Sequence, residues 1–327
     1  FFRMIRWMFL LVFFSTQWMF SQQMSKKTVK LMGSRFEITV VSTSTENATK
    51  YIEDAILEIS RIESLISSWD STSETSLINR NAGIKPVVID NELFQLIKRS
   101  VAISKLTNGA FDISYASLDK IWKFDGSMSE MPSKEAIKNS VSHVGFQNII
   151  LDAETSSVFL KHKGMKIGFG AIGKGYAADK TKALLISKGV TAGIINASGD
   201  MNSWGHHPDG SAWKVAIKNP LNKNKIFSVL PLNNNAVVTS GNYEKKVTLE
   251  GKTYTHIIDP RTGYPSIGII SASVFAPSAE LADALATSIF VMGVETGLDF
   301  INQLKTIECI LVDDKGAIHY SNNITPN

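Results

Sequence analysis

A chain of 327 residues, 44% of them apolar and 20% charged, carries enough apolar side chain to bury one large core or two ordinary ones. Its formal net charge of +4 is small and is not gathered into a run, so no nucleic acid is expected among its partners. The single cysteine, Cys309, excludes an intrachain disulfide, and its apolar surroundings from Ile307 to Val312 predict a buried strand position.

At the N-terminus Arg3 and Arg6 precede an unbroken apolar run, Trp7 to Phe14. Residues 1–22 are therefore expected to be a secretory signal peptide, or an N-terminal anchor if uncleaved, since Met19 makes a poor cleavage site. The run is shorter than the ~20 residues that span a bilayer. The functional domain is then 28–327.

Residues 28–42 alternate like a half-buried strand interrupted at Gly33. From Asn47 to Ser67, Ile52, Ala55, Ile56, Ile59, Ile62 and Ile66 step by three and four, which predicts an amphipathic helix. Trp69 follows in a polar loop, where it either covers the helix end or offers a ligand platform. A second helix is expected over 90–106, with Asp90 as its cap. Residues 157–167 read as a hairpin turning at Lys163-Gly164. A glycine-rich stretch from Gly168 leads into a helix that ends near Lys188. Strands are expected at 193–197, 213–217, 226–232 and 236–239, and a hairpin at 245–249 and 253–258 turns through Glu250-Gly251. An apolar strand over 269–276 precedes a helix capped by Ser278 and stopped by Gly293. Another helix runs to about Leu304, and a strand pair turns near Asp313–Gly316. This irregular order of hairpins and helices predicts an α+β fold with mixed or antiparallel sheets and packed helices.

Three features bear on chemistry. Asp283 and Thr287 are four apart on the predicted helix, so a carboxylate and a hydroxyl share one face. Such hard oxygens suit a magnesium-sized cation, although a solvated acid beside a half-buried threonine satisfies the same spacing. Gly168-x-Gly170-x-x-Gly173-Lys174 imitates both the dinucleotide fingerprint and the phosphate loop. It lacks the Ser or Thr after the lysine, and no acid ends the next strand, so both readings fail their context tests. What survives is a small-residue turn with a cation at a helix N-terminus, a candidate phosphate site. His206-His207 precedes Pro208-Asp209-Gly210 and is expected in a loop rather than at a metal.

Taken together, several stretches resemble the ApbE-type flavin transferases (FAD:protein FMN transferases). They are Met32-Gly33; Trp69 with Ser73 and Asn79; Thr107-x-Gly109-Ala110-Phe111-Asp112; Gly170-Ala171-Ile172-Gly173-Lys174-Gly175-Tyr176; and Asn196 to Asp200. Ser240-Gly241-Asn242-Tyr243, His256-Ile257-Ile258-Asp259-Pro260-x-Thr262-Gly263-x-Pro265 and Ala282-Asp283-Ala284-x-x-Thr287 complete the series. The resemblance implies a T-fold-like architecture and transfer of FMN from FAD, with magnesium, onto a Thr or Ser hydroxyl of an acceptor flavoprotein, releasing AMP. It assigns Ala171 (through its carbonyl), Asp283 and Thr287 to the metal. Met32, Trp69, Ala110, Phe111, Asp112, Lys174 and Ile257 fall to flavin and phosphates, and His256 becomes the general base. With the N-terminal segment read as an export signal or inner-membrane tether, the enzyme is expected in the periplasm, and the resemblance then implies acceptors such as membrane redox-pump subunits. Gly168 departs from the family, where an aspartate is common, and Ala197-Ser198 replaces a more usual glycine pair. FAD hydrolysis to FMN and AMP, and flavin binding without turnover, remain alternatives.

Overall fold

The computed structural model describes residues 22–324 apart from 221, 233 and 242–245, so the expected signal or anchor lies outside the described residues, as do Asn242 and Tyr243. Among the described residues no helix is long and apolar enough to cross a membrane.

In chain order, β1 (Gln23–Leu31) and β2 (Ser34–Ser42) form a hairpin about Met32-Gly33, where both residues have positive φ. Then follow α1 (Thr45–Ile66), α2 (Glu74–Arg80), β3 (Val87–Val88), α3 (Asn91–Leu106), α4 (Lys134–Ser140), β4 (Ile149–Asp152) and β5 (Ser157–Leu160). The middle of the chain holds α5 (Gly173–Ser187), β6 (Gly193–Ala197), β7 (Asp200–Trp204), β8 (Trp213–Asn219) and β9 (Asn222–Leu232). The last stretch supplies β10 (Ala236–Gly241), β11 (Lys246–Leu249), β12 (Lys252–Thr255), β13 (Ile269–Ala276), α6 (Ala279–Met292), α7 (Val294–Asn302), β14 (Glu308–Asp313) and β15 (Ile318–Tyr320).

The main sheet has the order β1-β2-β6-β7-β10-β13-β14-β15, and every adjacent pair is antiparallel. The α+β expectation therefore holds, and the strand after α5 joins antiparallel neighbours instead of winding a parallel sheet. Because successive side chains on a strand face opposite sides, Val40 and Val41 bury into different layers. Val40 joins the cluster with Ile52, Ile59 and Leu185 on the helical side. Val41 joins Trp213, Val215 and Leu232 beneath the β8–β9 hairpin. A third cluster packs α6 and α7 on β13 and β14, with Cys309 fully buried. A small sheet, β3-β5-β4, sits with α2 and α3 over the end of α1.

One expected hairpin is displaced. The turn falls at 153–156, not at Lys163-Gly164, because Asp152 accepts from the Glu154 amide at 2.9 Å and the Thr155 hydroxyl at 2.8 Å and so closes the chain earlier.

Candidate functional site

The site forms where α5 meets α6 over β7 and β10. α5 begins at Gly173 with no side-chain cap; the Gly173 amide donates to the Phe169 carbonyl, and the helix dipole leaves this end partly positive. Its first turn can approach α6 only because it is glycine-rich. A Cβ at Gly175 would lie 2.1 Å from the Ala279 carbonyl oxygen and 2.9 Å from Asp283 Cβ. With glycine there, the Gly175 amide donates to Asp283 Oδ2 at 3.1 Å. Gly173 is likewise pressed by Ile66, with Met32 Cε 3.7 Å from where its Cβ would sit. Gly170 takes the Tyr115 hydroxyl 2.4 Å from the same notional atom, and its backbone hydrogen-bonds that hydroxyl. The turn carrying Ala171 is thus clamped between Tyr115 and the Asp283 helix.

Two buried carboxylates share one ammonium here. Asp200 is 2% exposed and Asp283 4% exposed, and Lys174 forms an ion pair with Asp200. Burial pushes the Asp283 carboxyl up to about 7, and the negative Asp200 adds to that, while Lys174 and the Gly175 amide oppose it. Burial also raises Asp200 against the pull of Lys174. Desolvation works against the charged lysine, but Asp200 and Asp283 outweigh it and hold the ammonium above its ordinary pKa. The Thr287 hydroxyl, one turn along α6, lies 3.4 Å from Ser240 Oγ on β10. A negative charge left uncompensated among oxygen donors fits a hard divalent cation. Among the described residues no cluster of three or more His, Cys, Asp or Glu is gathered for a metal, so any such site must use hydroxyl and carbonyl oxygens as well.

Met32 is half-buried, and its amide donates to Glu63 Oε2 at 2.9 Å. Ala110 and Phe111 are core residues. Asp112 is buried and accepts from the Ser114 amide, the Ser114 hydroxyl and the Phe146 amide at 2.7–2.8 Å. Its side chain is thereby committed to holding the loop, and the Ala110 and Phe111 amides donate to the Thr107 carbonyl and hydroxyl. Trp69 does not cover the helix end. It is 85% exposed, with the Lys120 ammonium 5.1 Å from its ring centroid.

His256 is exposed and follows directly after β12. Its neighbour Ile257 packs on the cluster that includes Leu285, Ala286 and Ile289 of α6. The turn beyond is built by its own motif. Asp259 holds the Arg261 amide and guanidinium at 2.8–2.9 Å, and Gly263 takes a φ of 77°. The Gly263 carbonyl accepts from Trp122 Nε1 at 2.9 Å. A cleft of about 500 Å³ separates this turn from Asn108, Gly109 and Phe146, so two motifs far apart in sequence face each other. At Gly168 the backbone amide donates to the Ile113 carbonyl, and a Cβ would sit 3.1 Å from that of Ala116, leaving little room for an aspartate. His206 and His207 lie in a loop, with the His207 ring 3.9 Å from that of Trp213.

Sequence reasoning missed Asp179. From α5 it accepts from the Ser278 hydroxyl at 2.7 Å, the Ala279 amide at 2.8 Å and the Glu280 amide at 2.9 Å, and also from the Asn202 side chain. It therefore caps α6 from outside. The available signal was an acid following Ala177-Ala178 on a face of small residues, where a charge needs dedicated partners. Asp200, which follows the strand after α5, is the partner of Lys174.

Known proteins are similar to this chain in sequence and fold. A sequence model of the ApbE family matches residues 32–311. The FAD:protein FMN transferase of Klebsiella pneumoniae (strain 342) is 33% identical over 256 residues, covering 78% of this chain and 79% of the relative. That of Treponema pallidum (strain Nichols) is 29% identical over 276 residues, or 80% and 76%. The crystal structure of the ApbE protein from Thermotoga maritima aligns with a TM-score of 0.83 at 31% identity, covering 92% of this chain and 97% of that one. The apo flavinyl transferase ApbE of Pseudomonas stutzeri shares the fold, with a TM-score of 0.82 at 24% identity over 93% and 96%. The fold and these likenesses define a transferase enzyme. The chain belongs to the ApbE family.

Proposed function

We propose that this chain transfers FMN from FAD onto a threonine or serine hydroxyl of an acceptor flavoprotein, in a magnesium-dependent reaction that releases AMP. The observation that carries the reading is the pair of buried carboxylates, Asp200 and Asp283, served by the single ammonium of Lys174. That charge deficit lies beside the N-terminus of α5, whose dipole favours phosphate oxygens. The Ala171 carbonyl, Asp283 and Thr287 would hold the magnesium, which when bound neutralises phosphate charge and orients the pyrophosphate.

The chain's own groups do the rest. Trp69 offers its exposed face to the flavin, and Met32, Ile257 and the backbone of 110–112 line the approach. Lys174 binds phosphate oxygens at the partly positive end of α5. His256 accepts the proton of the acceptor hydroxyl as its oxygen bonds to the FMN phosphorus. The bond from that phosphorus to the bridging oxygen breaks, and AMP departs with the electron pair. Exposure of His256 suits a macromolecular acceptor, which must bring its hydroxyl to the surface. The N-terminal segment supports export, with acceptors facing the periplasm, membrane redox-pump subunits among them.

The test is mass spectrometry of an acceptor domain after incubation with the protein, FAD and magnesium. Addition of one FMN to a Thr or Ser is expected, with AMP released only when the acceptor is present. Equal AMP release without acceptor would make the enzyme a hydrolase. Equally little AMP from wild type and His256→Gly would leave a flavin binder without turnover.

A further inference from the structure

We infer that Asp200 is a positioning residue for cation binding: by holding the Lys174 ammonium, it keeps that charge off Asp283 and leaves Asp283 to the divalent cation. The inference rests on the magnesium reading above and adds a residue to it.

Lys174 is adjacent to Gly175, whose amide binds Asp283 Oδ2 at 3.1 Å, so the lysine starts beside the Asp283 carboxylate. Its ammonium nevertheless pairs with Asp200. Asp200 is placed for this by a rigid support. It opens β7 directly after a two-residue turn, Ser198-Gly199, in which both residues have positive φ, as tight hairpins require. The Gly199 amide donates to Asn196 Oδ1 at 2.8 Å, and the Ser198 amide donates to the Arg35 carbonyl at 2.9 Å. The Asp200 carboxylate also accepts from the Thr239 amide on β10, which anchors it from a second strand.

Lys174 feels both carboxylates, and Asp200 fixes which of them it serves. Without the Asp200 charge, Asp283 is the remaining buried anion within reach. A lysine paired there would occupy the oxygens a cation needs. A metal ligand thus depends on an acid that does not touch the metal but holds its competitor away.

The measurement is calorimetric titration of the full chain with magnesium chloride, in the absence of FAD. Asp200→Asn is expected to weaken magnesium binding about tenfold or more, within the range typical of supporting residues. Asp200→Asn combined with Lys174→Met is expected to recover wild-type affinity or better, since the competitor is gone. Recovery also separates this effect from damaged folding, because the double variant keeps the Asp200 change. Equal affinity in wild type and Asp200→Asn overturns the inference and leaves the proposed function standing. A double variant as weak as the single also overturns it, because the Asp200 carboxylate would then be needed for itself. A wild type that takes up no magnesium overturns the magnesium reading and this inference with it.

Discussion

Asp179 and Asp283 are both carboxylates at the α5–α6 contact, but they have opposite surroundings. Asp179, from α5, accepts four hydrogen bonds, among them two backbone amides and the Ser278 hydroxyl at the start of α6. Asp283, from α6, receives one backbone amide from α5 and is otherwise buried. The first is a joint between helices, fully satisfied by the fold. The second is left short of partners, and its proton affinity rises accordingly. Counting donors therefore separates an acid that the fold satisfies from one that it leaves undercompensated. Glu92 extends the series outward. Arg61, the Tyr176 hydroxyl and Lys180 converge on it, overcome its partial burial and pull its pKa down to about 2.

The sharpest way to break this comparison is to exchange charges. Asp283→Asn is expected to reduce FMN transfer by about a thousandfold or more, the scale seen when a group that stabilises transition-state charge is lost. Its melting temperature should equal or exceed that of the metal-free wild type, because a poorly compensated buried charge is removed. A clear fall in melting temperature would mean that Asp283 is structural after all. Gly175→Ala should be the most damaging to folding. Its methyl would collide with the Ala279 carbonyl, costing ~3 kcal/mol or more, as calorimetry or urea unfolding can measure. Asp179→Asn should cost about 2 kcal/mol, because an amide cannot accept all four bonds and turns a donor toward the α6 amides. Its transfer rate should fall less than that of Asp283→Asn.

The smallest effect concerns pH. The Glu92 pKa is lower when folded than its ordinary value near 4.5. Its contribution is therefore present above that value and disappears as pH falls toward about 2. The melting-temperature gap between wild type and Glu92→Gln should be steady above pH 5 and close across that window. A gap unchanged at low pH would remove Glu92 from the series.

Much of this fold was legible because its cues are local. Ser278 and Gly293 bound α6 as their chemistry demands, Asp90 caps α3, and the threes and fours of α1 match its buried residues. The displaced turn at 153–156 was missed because a side-chain bond from Asp152 outcompeted a lysine-glycine pair. At the site, the one-turn spacing of Asp283 and Thr287 could be read directly. The motif of 170–175 gave the small residues but not the reason for them. Gly175 yields to the Ala279 backbone and Gly170 to the Tyr115 hydroxyl, neighbours that only the folded chain reveals. Lys174 suggested a free cation for phosphate. That its partner is Asp200, 26 positions later at the start of β7, depended on sheet order, which no local pattern encodes.

The bond from Gly175 to Asp283 spans 108 positions and joins two helices that flank the whole middle of the sheet. A ribosome must therefore finish β6, β7, β10 and β13 before that pocket can exist at all. A fragment that ends between α5 and α6 keeps the lysine and the glycine-rich turn but lacks Asp283 and Thr287, so the pocket arrives complete or not at all.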